Sequence, residues 1–162
     1  MKTKQILEKY SKKIIANGKI LDIGFDNSRN AIWLAEQGFE VTTIDKNREA
    51  FDNLRKRISE LGTKLKIKLE NKDIKKFQIL QDYYNAIIAF NSLIFLKKSE
   101  FLEIVAKIKK VLMPGGLVFI SLFTMDDPSF KTFLKRFILS ILTERIRLSD
   151  YFLKSYFILI LG

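Results

Sequence analysis

The order in which apolar runs alternate with stretches of helical period constrains this chain more than any other feature. KILDIG (residues 19–24), FEVTTID (39–45), KLKIKL (64–69), YNAIIAF (84–90) and LVFISLF (117–123) each have the length and apolar content of a strand. Between them the period lengthens to three or four. NAIWLAEQ (30–37) is closed by Gly38, where a left-handed cap belongs. Asn47 stands where it can cap a helix that carries Ala50, Phe51, Leu54, Ile58 and Leu61 on one face before Gly62. Ser99 is positioned to cap a further helix reaching Leu112, with Phe101, Leu102, Val105 and Ile108 on its buried side. An amphipathic helix over residues 3–16, with Ile6, Leu7, Tyr10 and Ile14 in phase, precedes the first strand and stops at Asn17-Gly18. Parallel neighbours need crossover helices, so the alternation predicts an α/β fold. The expected architecture is a Rossmann-like doubly wound sheet, mostly parallel, with an N-terminal helix and a shortened C-terminal end.

The strands differ in how they would sit. KLKIKL alternates lysine with aliphatic residues, the pattern of an edge strand wetted on one face. YNAIIAF is almost wholly apolar, as a central strand covered on both faces should be. Met113-Pro114-Gly115-Gly116 reads as a turn before the fifth strand. Residues 130–148 carry Phe130, Phe133, Leu134, Phe137, Ile138, Ile141 and Leu142 at helical spacing, and the chain ends on the apolar strand YFILIL (156–161). One domain over residues 1–162 accounts for all of this: an N-terminal helix (1–17), a binding core (18–125) and a C-terminal part (126–162).

Composition narrows the chemistry. Cysteine and histidine are both absent from the 162 residues, which removes disulfides, thiolate or imidazole metal sites, and the commonest general base. No metal site is expected. MKTKQILEKYSKK is too charged for the apolar core of a signal peptide, and no apolar run reaches the ~20 residues of a membrane span; a cytoplasmic protein is expected. The formal charge of +11 allows a nucleic-acid partner. No segment interleaves basic residues with exposed aromatics, however, so a solvated basic surface is the favoured reading.

LDIGFDNSRN (21–30) falls where the first strand turns into a helix, and ligands of doubly wound sheets bind at the carboxyl ends of the strands. With AIWLAEQG, VTTID, AFNSLIFL and LMPGG following in order, the sequence resembles a class I S-adenosylmethionine-dependent methyltransferase. It is most similar to the tellurite-resistance-type small-molecule methyltransferases, over roughly residues 15–125. The family's first motif commonly reads Asp-x-Gly-x-Gly-x-Gly-Arg-Asn, and Asp22, Gly24, Arg29 and Asn30 match it.

The resemblance implies S-adenosylmethionine as cofactor and a small-molecule methyl acceptor. Gly24, Phe25, Asp26 and Ser28 would form the loop beside the methionine moiety, with the first free NH groups of the helix and Arg29 facing its carboxylate. Asp45, followed by Lys46, would accept the ribose hydroxyls. Asp73 would accept the adenine amino group, with Ile74 packing nearby. Phe90 and Asn91 would lie where the methyl group meets the acceptor. Each has a plainer alternative: Asp45 as a helix cap, Asp73 as a turn residue, Arg29 as surface charge, Phe90 as core.

Three residues depart from the pattern. Asp26 and Ser28 replace glycines, and Asn85 stands where many relatives carry an acid. Asp tolerates left-handed backbone and Ser caps helices, so the fold accommodates both loop changes. The terminal strand either completes the sheet from an inner place or stands as an apolar edge open to a homo-oligomer. Methyl transfer from a sulfonium chiefly needs positioning, and no catalytic residue is assigned; Tyr83, Tyr84 and Asp126 are the groups available as a base. Two rivals stay open: a degenerate, non-catalytic fold that binds a partner through its terminal strand, and an RNA- or membrane-surface methyltransferase using the basic helices.

Overall fold

In the computed structural model the described residues are 3–24, 29–62, 64–78, 80–93, 96–123, 148–153 and 156–161. Helix α1 (Thr3–Tyr10) leads into strand β1 (Lys19–Ile23), then α2 (Arg29–Glu36), β2 (Glu40–Asp45), α3 (Arg48–Glu60), β3 (Ile67–Asn71), β4 (Tyr84–Phe90), α4 (Lys98–Val111) and β5 (Leu112–Phe123). Strands β6 (Leu148–Leu153) and β7 (Tyr156–Leu161) follow. They form one seven-stranded sheet in the order β3-β2-β1-β4-β5-β7-β6. β1 to β5 run parallel, and β7 lies antiparallel to both β5 and β6.

Each face of the sheet is covered for a reason visible in the side chains. Alternate residues of a strand point to opposite faces. Leu21, Ile87, Ala89 and Val118 pack against Phe101, Ile104, Val105 and Ile108 of α4. Ile20, Val41, Ala86, Ile88 and Phe119 pack against Ile6, Leu7 and Tyr10 of α1 and Ala31, Leu34 and Ala35 of α2. α3 lays Ala50 and Leu54 beside Ile32 of α2, with Ile67 and Leu69 of β3 against them. β3 is the edge strand that its lysine alternation predicts, with Lys68 exposed and Ile67 and Leu69 half-buried. β4 is buried at all but one position, as expected between two parallel neighbours.

The helix ends follow local chemistry. Gly38 has φ 93°, and the N–H groups of Gly38 and Phe39 donate to Ala35 and Leu34 carbonyls in a left-handed cap. Asn47 caps α3, accepting from the N–H of Glu49 (3.0 Å) and Ala50 (3.2 Å). The expected cap at Ser99 is displaced by two residues. α4 begins at Lys98, and Glu100 reaches back to accept from the N–H of Lys97 at 3.0 Å. Residues 113–116 are not a separate turn but part of β5. They shift its register against β4, so that Tyr84 pairs with Leu112 and Ala86 with Leu117.

Of the two places expected for the terminal strand, the structure takes the inner one, and it adds a strand that was not expected. YFILIL takes the inner place between β5 and β6, so the terminal strand is not an edge. The edge on that side is LSDYFL, residues that the sequence offered as no strand at all; Leu148, expected at the end of a helix, opens it. The remainder of the expected helix over 130–148 lies outside the described residues.

Asn85 shows what a departure from the family pattern does here. Its side-chain oxygen accepts the N–H of Lys19 at 2.8 Å, joining the first residue of β1 to the start of β4. Its amide donates to Met113 Sδ at 3.2 Å. The neutral side chain keeps the acceptor without placing a carboxylate there. Asn85→Ala, which removes that acceptor, is expected to lower the unfolding free energy by about 1–2 kcal/mol. Asn85→Asp, which keeps it, is expected to cost less; urea unfolding of the two variants at pH 7 checks the order.

Candidate functional site

Parallel strands bring their carboxyl ends to one edge, and the candidate residues collect there: Asp22 and Gly24 from β1, Asp45 from β2, Asp73 after β3, and Asn91 after β4. Gly24 has φ 78° and donates its N–H to the Ile44 carbonyl at 2.8 Å. A Cβ on Gly24 would collide with Cβ of Ser92. The glycine is therefore required by the tip of β4 as well as by its own backbone angle. Ser92 was not singled out from the sequence. Its hydroxyl is buried with no hydrogen-bond partner among the described residues, directly against the β1 tip.

Asp45 is half-buried and does not cap α3, a role taken by Asn47. Its Oδ1 accepts from the Asn47 N–H at 2.8 Å, and its carbonyl accepts from Asn71 Nδ2 at 3.0 Å. Asn71, opposite Asp45 in the β2–β3 register, is a second residue that sequence reasoning missed; only its polarity at a strand end would have marked it. Lys46 is exposed beside Asp45.

Asp73 does act as a turn residue. It caps the short 3-10 turn Ile74–Lys76, accepting from the Lys75 N–H at 2.9 Å. Ile74 packs against the α4-side core. Asn91 is exposed and holds φ 56°, an uncommon angle for a residue with a side chain. The buried Ser121 of β5 pins it: its hydroxyl accepts the Asn91 N–H and donates to Asn91 Oδ1, each at 2.8 Å.

Other candidates are placed elsewhere. Phe90 is buried in the core beneath α1 and α2, so the plainer alternative describes its side chain. Arg29 is exposed and Asn30 half-buried at the start of α2. Phe25, Asp26 and Ser28 lie outside the described residues, as does Asp126. Tyr83 and Tyr84 stand at the amino end of β4, about 20 Å along the strand from the Asn91 tip at ~3.3 Å per residue, and cannot serve as a base there. Lys19 sits over the Tyr83 ring at 4.1 Å. Among the described residues no group of acids could hold a metal ion, and no helix is long and apolar enough to cross a membrane.

Asp22 is the electrostatic centre of this edge. It is buried in β1 between Thr43 and Ile88, and the Thr43 hydroxyl, also buried, has no partner among the described residues. Burial, and then the nearby Asp45 carboxylate, push the Asp22 carboxyl up from 3.8 to about 7. Such an edge favours a cation, which would relieve the charge of Asp22 and Asp45 together.

The strand order defines the Rossmann-like α/β class. A model of the family "Tellurite resistance protein TehB" matches residues 4–154, and the chain belongs to that family. It is 30% identical over 102 residues to "Putative methyltransferase YqeM" of Bacillus subtilis (strain 168), a match spanning 62% of this chain and 40% of that protein's length. A TehB-like SAM-dependent methyltransferase from Corynebacterium glutamicum has the same fold, with TM-score 0.75 and 18% identity, over 96% of this chain and 85% of that one. So does a SAM-dependent methyltransferase from Aquifex aeolicus, with TM-score 0.73 and 18% identity, over 98% and 87%.

The Asp22 carboxyl gives a stability test. Because the folded state binds this proton more tightly than the unfolded chain, its contribution is fully present below pH 3.8. It is lost as pH rises through about 7. Above that the ionised, buried group opposes folding by on the order of 4 kcal/mol. Asp22→Asn is expected to be more stable than the native chain above pH 7, with the gap closing below pH about 4; denaturant midpoints across pH measure it.

Proposed function

We propose that this protein binds S-adenosylmethionine at the carboxyl edge of β1, β2 and β4 and transfers its methyl group to a small-molecule acceptor. The observation that carries this reading is the convergence of Gly24, Asp22 and Asp45 on one edge, in a chain whose family and strand order are those of methyltransferases. The residues suit the group. The buried hydroxyls of Ser92 and Thr43, without a partner among the described residues, and the raised carboxyl of Asp22 are what a polar, cationic ligand would satisfy.

When bound, the cofactor supplies an activated methyl on a sulfonium, which leaves as a neutral thioether. The chain's own work is positioning. Asp45, at the tip of β2, is suited to accept from a ribose diol. Asp73 and Ile74 are suited to the adenine. Asp22 would offset the ligand's positive charge, while Phe25, Asp26 and Ser28 would form the loop beside the methionine moiety and Arg29 and Asn30 at the start of α2 would face its carboxylate. Lys46, beside Asp45, is suited to the rim of the same pocket. Asn91, fixed by Ser121, is suited to the acceptor side. The family's name, which refers to tellurite resistance, supports a small acceptor. A compact or already anionic acceptor fits an edge with no available tyrosine or histidine base among the described residues.

Calorimetric titration with S-adenosylmethionine and S-adenosylhomocysteine tests the reading. Sub-millimolar binding is expected, weakened at least about ten-fold by Asp45→Ala, as loss of hydrogen bonds to a charged group entails. Asp26→Gly is expected to retain binding. Absence of heat at millimolar ligand overturns the cofactor assignment.

A further inference from the structure

The turn after β3 is tied to the start of α4 by a group of charges that the reading above leaves unused. Lys75 Nζ donates to Glu100 Oε1 at 2.9 Å. The other oxygen of the same carboxylate, Oε2, accepts the Lys97 N–H at 3.0 Å and so caps α4. Lys75 also stands near Asp73, but its ammonium is 3.8 Å from Asp73 Oδ2, while its backbone N–H takes Asp73 Oδ1 at 2.9 Å. Lys107 donates to the Lys75 carbonyl and pairs with Glu103 at 3.2 Å, which holds the turn down on the helix. Glu100 and Asp73 thus compete for one ammonium, and Glu100 has it. The titration of the pair agrees: the hydrogen bond between them raises Lys75 and lowers Glu100 from their ordinary values.

We propose that Glu100 is a positioning residue that draws Lys75 away from Asp73, leaving one Asp73 carboxylate oxygen open to a hydrogen-bond donor of the adenine class. This rests on the cofactor reading above. A carboxylate gripped by a lysine is a poorer acceptor for an amino group, because its lone pairs and its charge are already engaged. The pair is half-exposed, so its influence is modest and sensitive to salt. Its selectivity is what matters: Glu100 would act only on a ligand that donates to Asp73.

The test titrates the full chain with S-adenosylhomocysteine and with its purine-riboside analogue, which carries a hydrogen in place of the exocyclic amino group and has no donor there. E100Q keeps the cap on Lys97, since glutamine serves that role as well, but holds the ammonium less strongly. It is expected to weaken S-adenosylhomocysteine binding about three- to five-fold, the scale of an exposed ion pair, and to leave the analogue without the amino group unaffected. Adding K75M to E100Q is expected to restore most of the lost affinity by freeing Asp73. Equal losses for both ligands, or no recovery in the double variant, would show that Glu100 merely shapes the turn and overturn the proposal. So would unchanged adenosyl affinity in E100Q. If the native chain binds neither ligand, it is the cofactor reading that fails, and this inference with it.

Discussion

The contact on which the candidate site depends is the approach of the β1 tip to the β4 tip. Gly24 and Ser92 are so close that no side chain fits between them, and Gly24 must also turn left-handed to send its N–H to β2. Asn91, the residue before Ser92, is held left-handed in turn by Ser121 of β5. Four adjacent strands are thereby linked in one row across their carboxyl ends. Backbone angles of this kind persist only where the surroundings enforce them, and here hydrogen bonds from neighbouring strands do so. The edge is rigid because it hangs on strands whose other residues are core, which is what a ligand site needs from its scaffold.

Much of this was legible in the sequence. Apolar period fixed the type of the first nine elements, and lysine alternation marked the edge strand, because burial on one face, two faces or one stripe leaves different patterns. Glycine caps were legible because a positive φ is a local demand; Gly38 and Gly62 meet it at 93° and 62°. The misses have different causes. Ser99 was preferred as a cap on side-chain type, whereas Glu100 reaching back to Lys97 decides the boundary. LSDYFL, half polar and placed after a stretch of helical period, becomes a strand only because β7 lies beside it. Long-range pairing of that kind leaves no local signature.

The site divides along the same line. Residues expected from their position at or just beyond a strand end, Asp22, Gly24, Asp45 and Asp73, do collect at one edge of the sheet. Phe90 takes the plainer of its two readings, because a strand's last residue faces the ligand or the core according to phase, and here it continues the Ala86-Ile88 face toward α1 and α2. Ser92, Asn71 and Ser121 act through partners 26 to 68 positions away or through close packing, and a single sequence carries no sign of such pairs.

The geometry also reweighs the idea of a decayed enzyme. Asn85 lies at the amino end of the sheet, where it joins β1 to β4, and so bears on folding rather than on the ligand. Only the loop positions Asp26 and Ser28 then depart at the site itself. Against them stands Asp22, whose buried carboxyl opposes folding at neutral pH and gains nothing from the neighbouring Asp45. An asparagine of nearly the same shape would relieve that penalty. A buried, self-opposing acid at a strand tip is a poor structural element and a good counter-charge for a cationic ligand, and that asymmetry supports the proposal that the chain binds one.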